Sequence, residues 1–208
     1  MAFPTSSLTN NQVHKEGNRA FVYDSTLGVW DQVREADITD GKNLHGEIGG
    51  GVTFPSGHVL QTISTSMGDR LNIADTDPDS WIDIAGLSVQ ITPSSSSNKI
   101  LVFASVKGNA GQSVACFLRT MRDSTAVGIG NTSGSRSRVS AALKEITAYD
   151  IGSTDWNFLD SPAATSTLTY KIQVYSNGDI VINGGTTTAD NWSSGNAHSS
   201  ITVMEIKA

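Results

Sequence analysis

Residues 81–106, WIDIAGLSVQITPSSSSNKILVFASV, carry the plainest polarity pattern in the chain. Leu87, Val89 and Ile91 alternate with Ser88, Gln90 and Thr92, the period-two signature of a strand with one dry face and one wet face. The run at 99–106 is almost all apolar or β-branched, as in a strand covered on both faces inside a two-sheet sandwich. Between them Pro93 has no N–H to give a ladder, and the four serines after it satisfy backbone groups locally. The stretch therefore reads as a pair of strands joined by a polar turn.

Further strands are expected at 59–66, 81–84, 114–122, 126–129 and 156–159. The cleanest alternation lies at 168–175, with Leu168, Tyr170, Ile172 and Val174 on one side and Thr169, Lys171, Gln173 and Tyr175 on the other. Asn177-Gly178 favours a tight hairpin, with 179–183 returning as the partner strand. A polar loop at 184–199 leads to a closing strand, ITVMEI, at 201–206. Only SAALKEI at 140–146 has helical composition, and it is too short to define a helical layer. About ten strands with turn signals between them predict an all-β fold, an antiparallel jelly-roll sandwich.

Residues 1–35 differ in texture. Aromatic, β-prone runs at 20–23 and 29–33 flank a turn with Asp24, Ser25 and Gly28, which predicts a small N-terminal β-hairpin. A lone hairpin is marginal in water, so Phe21, Tyr23 and Trp30 need something to pack on: the main domain, another protein or another copy. They are the candidate attachment residues. Residues 36–57 form a Gly-rich linker, with Gly49, Gly50 and Gly51 followed by Pro55 and Gly57, and 58–208 is the main domain.

Composition narrows the function classes. The chain has 208 residues, 38% apolar and 16% charged, which suits one sizeable β domain plus a small extra piece. Net charge is −6 and the 14 basic residues are dispersed, so no stripe exists to neutralise a row of phosphates and no nucleic acid partner is expected. The N-terminus lacks a secretory pattern and no run approaches the ~20 apolar residues of a membrane helix. A soluble product made in the cytoplasm, without membrane insertion, is the expectation. Cys116, the single cysteine, sits in an apolar run and reads as a small buried hydrophobe.

Candidate chemistry is sparse. Asp75, Asp77 and Asp79 resemble the opening of a calcium loop, but Ser80 stands where the turn glycine belongs and Gly86 where the bidentate glutamate belongs, so an acidic turn is the better reading. Gly128, Gly130 and Gly134 lack phosphate-loop spacing, the histidines are scattered, and no Gly-x-Ser-x-Gly elbow occurs. Asp150, Asp155 and Asp160 pair as carboxylates no better than chance allows in an acidic chain. No catalytic residue, metal or cofactor is expected. Trp156 and Trp192, in Ser- and Asn-rich surroundings, and Tyr175, on the wet side of its strand, are candidate glycan contacts; the alternative is that the tryptophans plug a sandwich end or a subunit contact.

In order, FPSGHVLQ at 54–61, SWIDIAGLSVQITPSSSSNKILV at 80–102, LDSPAATSTLTYKIQV at 159–174 and ITVMEI at 201–206 resemble tailed-phage virion proteins whose C-terminal module has the C1q and tumour necrosis factor fold. PTSSLTNNQVHKEGNRAFVYDSTLGVWDQV at 4–33 is similar to a short module near the N-termini of phage fibre proteins, departing from it at Ala20, where an aromatic is common. The resemblance implies a C1q/TNF-like jelly roll that forms a tight homotrimer with its last strand near the threefold axis, which makes Ile201, Val203, Met204 and Ile206 the candidate trimer interface. It implies a non-enzymatic virion protein that meets other virion proteins through its N-terminal segment. One reading is a short tail fibre whose jelly-roll head binds a host surface glycan, three weak contacts adding through avidity. The other is a trimeric capsid decoration protein, a cement protein or head fibre.

Overall fold

The computed structural model describes residues 12–16, 19–33, 54–74, 80–144, 146–190 and 192–208. The chain divides into two units, Met1–Phe54 and Pro55–Ala208. Most of the expected linker, and the Asp75, Asp77 and Asp79 turn, lie outside the described residues.

In the first unit β1 (Val13–Glu16), β2 (Arg19–Asp24) and β3 (Val29–Val33) form an antiparallel sheet in the order β1-β2-β3. The expected hairpin is β2-β3, with one strand more than the sequence pattern showed. Its turn is closed by Asp24, whose carboxylate accepts the backbone N–H groups of Thr26 at 2.8 Å and Leu27 at 3.1 Å. Gly28 ends the turn at φ +68°, a conformation side chains disfavour. Phe21 is buried, while Tyr23 and Trp30 are half-buried with their rings 5.3 Å apart.

The second unit is an all-β, antiparallel sandwich. Its strands are β4 (Val59–Met67), β5 (Leu71–Ile73), β6 (Ile82–Ile91), β7 (Lys99–Asn109), β8 (Cys116–Arg122), β9 (Thr125–Val127), β10 (Ala141–Leu143), β11 (Gly152–Asp160), β12 (Leu168–Ser176), β13 (Ile180–Ile182) and β14 (Ser199–Ile206). One sheet runs β4-β14-β7-β11, extended by β13 and β5; the other runs β10-β8-β12-β6, with β9 folded back on β8. Apart from β4 to β5, β8 through β9 to β10, and β13 to β14, each step along this unit changes sheet, and its first and last strands, β4 and β14, lie side by side. That connectivity is consistent with a jelly roll.

Two local expectations are overturned by this winding. β6 and β7 are not a hydrogen-bonded pair: β6 pairs β12, β7 pairs β11 and β14, and the two face each other across the core. The polar stretch 93–98 is thus a crossing between sheets. Asn177-Gly178 likewise makes no hairpin, because β13 pairs β5 and β7 in the opposite sheet from β12. The segments expected as separate strands at 81–84 and 87–92 are one strand, β6, bent at Gly86 (φ +89°) where the register with β12 shifts. Part of the SAALKEI stretch is strand β10.

The core lies between the sheets. Leu87, Val89 and Ile91 of β6, Ile100, Val102 and Val106 of β7, Leu118 of β8, Tyr170, Ile172 and Val174 of β12, and Ile201 and Val203 of β14 are all buried. Each such aliphatic side chain contributes about 1.5–3 kcal/mol relative to exposure. Gly108 is needed where β13 meets β7, since a Cβ there would run into the Val181 carbonyl oxygen. At one end the sheets are tied by Asp160, which accepts a 2.6 Å bond from the Tyr170 hydroxyl and a 2.6 Å ion pair from Arg122. Burial and the neighbouring carboxylate push the Tyr170 hydroxyl well above the usual phenol range, so it stays protonated as the donor.

Candidate functional site

Strand register decides which side chains reach the outer face of the β4-β14-β7-β11 sheet. On β7, Ile100, Val102, Ala104 and Val106 turn inward, so Leu101, Phe103, Ser105 and Lys107 turn outward. Pairing carries that division to the neighbours: Leu101 lies opposite Met204 and Leu159, and Ile206 lies opposite Val59. One end of the face is therefore an apolar band of Val59, Leu101, Phe103, Leu159, Met204 and Ile206. Leu159 is 56% exposed, Val59 45% and Phe103 41%.

The other end of the same face is polar. Ser64 and Thr202 share a 2.7 Å hydroxyl contact, and Lys107 pairs with Asp155 at 3.1 Å while also bonding Ser153. Hydrogen bonds from Ser105 and Ser153, and then Lys107, hold the Asp155 carboxyl at about 2, so this end stays ionised at any ordinary pH. A contiguous apolar patch rimmed by polar groups is the surface that proteins use for contact with other proteins.

The candidate trimer residues divide between the two faces. Met204 and Ile206 belong to the outward band, but Ile201 and Val203 have no exposure and point into the core of their own sandwich. Alternation along a strand forbids all four from facing one partner. Phe103, Leu159, Leu101 and Val59 were missed. Leu101 and Phe103 are as apolar as the core residues beside them, so the sequence reads β7 as covered on both faces.

Nor do the candidate glycan contacts gather at one site. Trp156 is half-buried, packs on the core and donates its indole N–H to Thr120 Oγ1 at 3.0 Å, so it plugs the sandwich as the alternative reading had it. Tyr175 lies on the outer face of the other sheet, stacked on Phe117 at 6.1 Å and tilted against Trp81 at 6.0 Å. The Arg119 guanidinium sits 4.1 Å over Trp81 and donates twice to Gln173, which in turn donates to Asp83. Burial raises the Asp83 pKa, but the bonds from Lys171 and Gln173 outweigh it and leave the pKa below its ordinary value. Of the attachment candidates, Phe21 is interior rather than presented, and Tyr23 and Trp30 contact each other.

Trp192 is different. It is 97% exposed on the loop 184–198. The neck of that loop is built from residues the sequence did not single out. Asn183, at φ +61°, donates to the Met67 and Asp69 carbonyls at 2.9 and 3.0 Å and accepts the Ser199 hydroxyl at 2.6 Å. Arg70 donates to the Gly185 and Thr187 carbonyls at 3.1 and 3.0 Å. Gly185 lies so close to the turn 147–150 that a Cβ would strike the Ala148 carbonyl oxygen, which accepts the Thr187 N–H at 3.0 Å. These partners are remote in sequence, and no local pattern signals them.

Among the described residues no three His, Cys, Asp or Glu side chains group to hold a metal ion, and no helix is long and apolar enough to cross a membrane.

No protein-family model matches the chain, and no curated protein sequence matches it. Among solved structures it is similar to infectious bursal disease virus, Gt strain, at 10% identity and TM-score 0.41, covering 91% of this chain and 48% of that one. It is also similar to the same virus's VP2 subviral particle, at 10% identity and TM-score 0.39, covering 73% of this chain and 42% of that one. The Gx strain gives 14% identity and TM-score 0.38, over 72% of this chain and 33% of that one. The chain spans less than half the length of these structures, and a likeness this low carries nothing about activity. The structures matched are of a virus particle and its VP2, not of a phage tail fibre. The expectation of a tailed-phage fibre that binds a host surface is corrected on this finding and set aside.

Proposed function

We propose that the chain is a non-enzymatic structural subunit of a virus particle, acting as a capsid decoration protein of the cement or head-fibre kind. In this reading its sandwich is a C1q/TNF-like jelly roll that trimerises through the outer face of the β4-β14-β7-β11 sheet. The observation that carries the assembly step is the apolar band at one end of a sheet whose other end is polar, with Val59, Phe103 and Leu159 exposed and Leu101, Met204 and Ile206 half-buried among them. The side-by-side first and last strands support the jelly-roll assignment. The separate N-terminal unit, with its own three-stranded sheet, supports a division of labour in which that unit meets the other virion proteins.

Sedimentation of the purified chain tests the assembly step. A trimer is expected at micromolar concentration, and Phe103→Asp combined with Leu159→Asp is expected to give a monomer with an unchanged strand spectrum. A monomeric wild type, or a double variant that remains trimeric, overturns the interface. Quantifying the chain in purified particles tests the role: hundreds of copies on the shell are expected, and its absence from particles overturns the reading.

A further inference from the structure

A polar hollow of about 180 Å³ is lined by Arg70, Gly185, Thr187, Asp190, Ser194 and Asn196 among others. Trp192, 97% exposed, lies two residues along the chain from each of Asp190 and Ser194, both of which line the hollow. Tyr149, 51% exposed, belongs to the turn on which Gly185 lies. The wall is held by groups that leave the functional edge unused. Arg70 bonds the Gly185 and Thr187 carbonyls, the Ser194 hydroxyl donates to the Ala189 carbonyl at 2.5 Å, and the Thr187 hydroxyl accepts the Ala189 N–H at 3.1 Å. The Asp190 carboxylate and the Asn196 amide make no side-chain hydrogen bond among the described residues.

The chemistry of the rim selects its ligand. Residues 184–198 contain one acidic residue and no Lys or Arg, and the one guanidinium in the lining, Arg70, is bonded to the Gly185 and Thr187 carbonyls, so no cluster of basic groups is offered to a phosphate or an anionic lipid surface. One fully exposed indole among Ser, Thr, Asn and Asp offers an apolar face bordered by hydrogen-bonding groups. A pyranose ring has the complementary shape, with a face of C–H groups and a rim of hydroxyls. We propose that this hollow and Trp192 form a binding site for a single saccharide unit, with the indole stacking on the sugar and Asp190 and Asn196 bonding its hydroxyls. The neck bonds described above hold the loop before any ligand arrives, which lowers the ordering cost of binding. The loop feeds the start of β14, whereas the apolar band takes in its far end at Met204 and Ile206, about 20 Å along the strand. Assembly through the band therefore leaves the hollow open.

The test is a titration of the full chain, with its tryptophans replaced by 5-fluorotryptophan and read by fluorine NMR. The probes are the methyl glycosides of glucose, galactose, mannose, N-acetylglucosamine and N-acetylneuraminic acid. At least one is expected to shift the Trp192 signal saturably, with a dissociation constant on the order of 1 mM, and to leave Trp30 and Trp156 unmoved. Trp192→Ala is expected to abolish binding, read by saturation transfer to the sugar, and Asp190→Asn to weaken it about tenfold. Neither side chain holds the loop, so both variants are expected to fold. Absence of a Trp192 shift with every probe overturns the proposal, as does equal binding in wild type and Asp190→Asn. A Trp192 signal that moves with protein concentration alone also overturns it, since the loop is then covered by a second copy. The site lies within one chain, so these outcomes are independent of the assembly state.

Discussion

Glu205 is 1% exposed, with no Lys or Arg ion-paired to it among the described residues. Burial by itself raises a carboxyl pKa, yet this one lies below the usual range because donors surround it: Asn98 Nδ2 and Gln61 Nε2 at 2.6 Å, Ser94 N at 2.7 Å and Ser94 Oγ at 2.8 Å. The clasp ties the last strand to the crossing between β6 and β7. Since the folded pKa is depressed, the stabilisation is fully present above the unfolded value of 4.5 and is lost as pH falls through the folded one. Glu205→Gln is expected to lower stability by roughly 2–3 kcal/mol at neutral pH. Denaturant titrations below pH 5 should show the variant losing less further stability than the wild type; identical acid slopes contradict the assignment. Cys116 shows the opposite balance, its thiol pushed up to about 12 by burial, in keeping with a side chain that only fills space.

β14 is the element where alternation has the clearest consequence. Val203 faces the core and Met204 the outer face, one residue apart. Val203→Asp places a carboxylate among apolar side chains and is expected to cost more than about 4 kcal/mol, enough to unfold the sandwich. Met204→Asp is expected to keep the strand spectrum while weakening self-association. Circular dichroism with sedimentation separates the two, and an unfolded Met204→Asp chain contradicts the outward placement. The period-two pattern of 168–175 showed which residues of β12 enter the core. It was silent on partners: Asn177-Gly178 has the composition of a tight hairpin, but Ile180–Ile182 bonds to β5 and β7, where it buries all three of its side chains. Tertiary burial overrode the local turn preference.

For the whole molecule, an interface that removes the band from water links stability to concentration. The melting temperature is expected to rise with protein concentration, because association draws only on the folded state. The Phe103→Asp, Leu159→Asp variant is expected to melt at one temperature throughout. A wild-type melting temperature that does not depend on concentration argues against the band as an interface. At this scale the candidate glycan residues also separate: Trp156 serves the core, Tyr175 joins an aromatic and guanidinium network on one sheet, and only Trp192 stands free on a braced loop.

The sequence by itself determined the all-β class, most of the longer strands and most of their inward faces, because period-two alternation and Pro93 act over a few residues and need no knowledge of the rest of the chain; the short strands β1, β5 and β10 carry too few residues to show a period. Which strands pair was decided only by the tertiary structure. The crossing of 93–98 between sheets, the joining of the first and last strands, the apolar band and the bracing of the Trp192 loop by Arg70 and Asn183 all depend on groups that meet through the fold. An exposed apolar residue is spelled like a buried one, and Leu101 and Phe103 differ from Ile100 and Val102 only in having no second sheet above them.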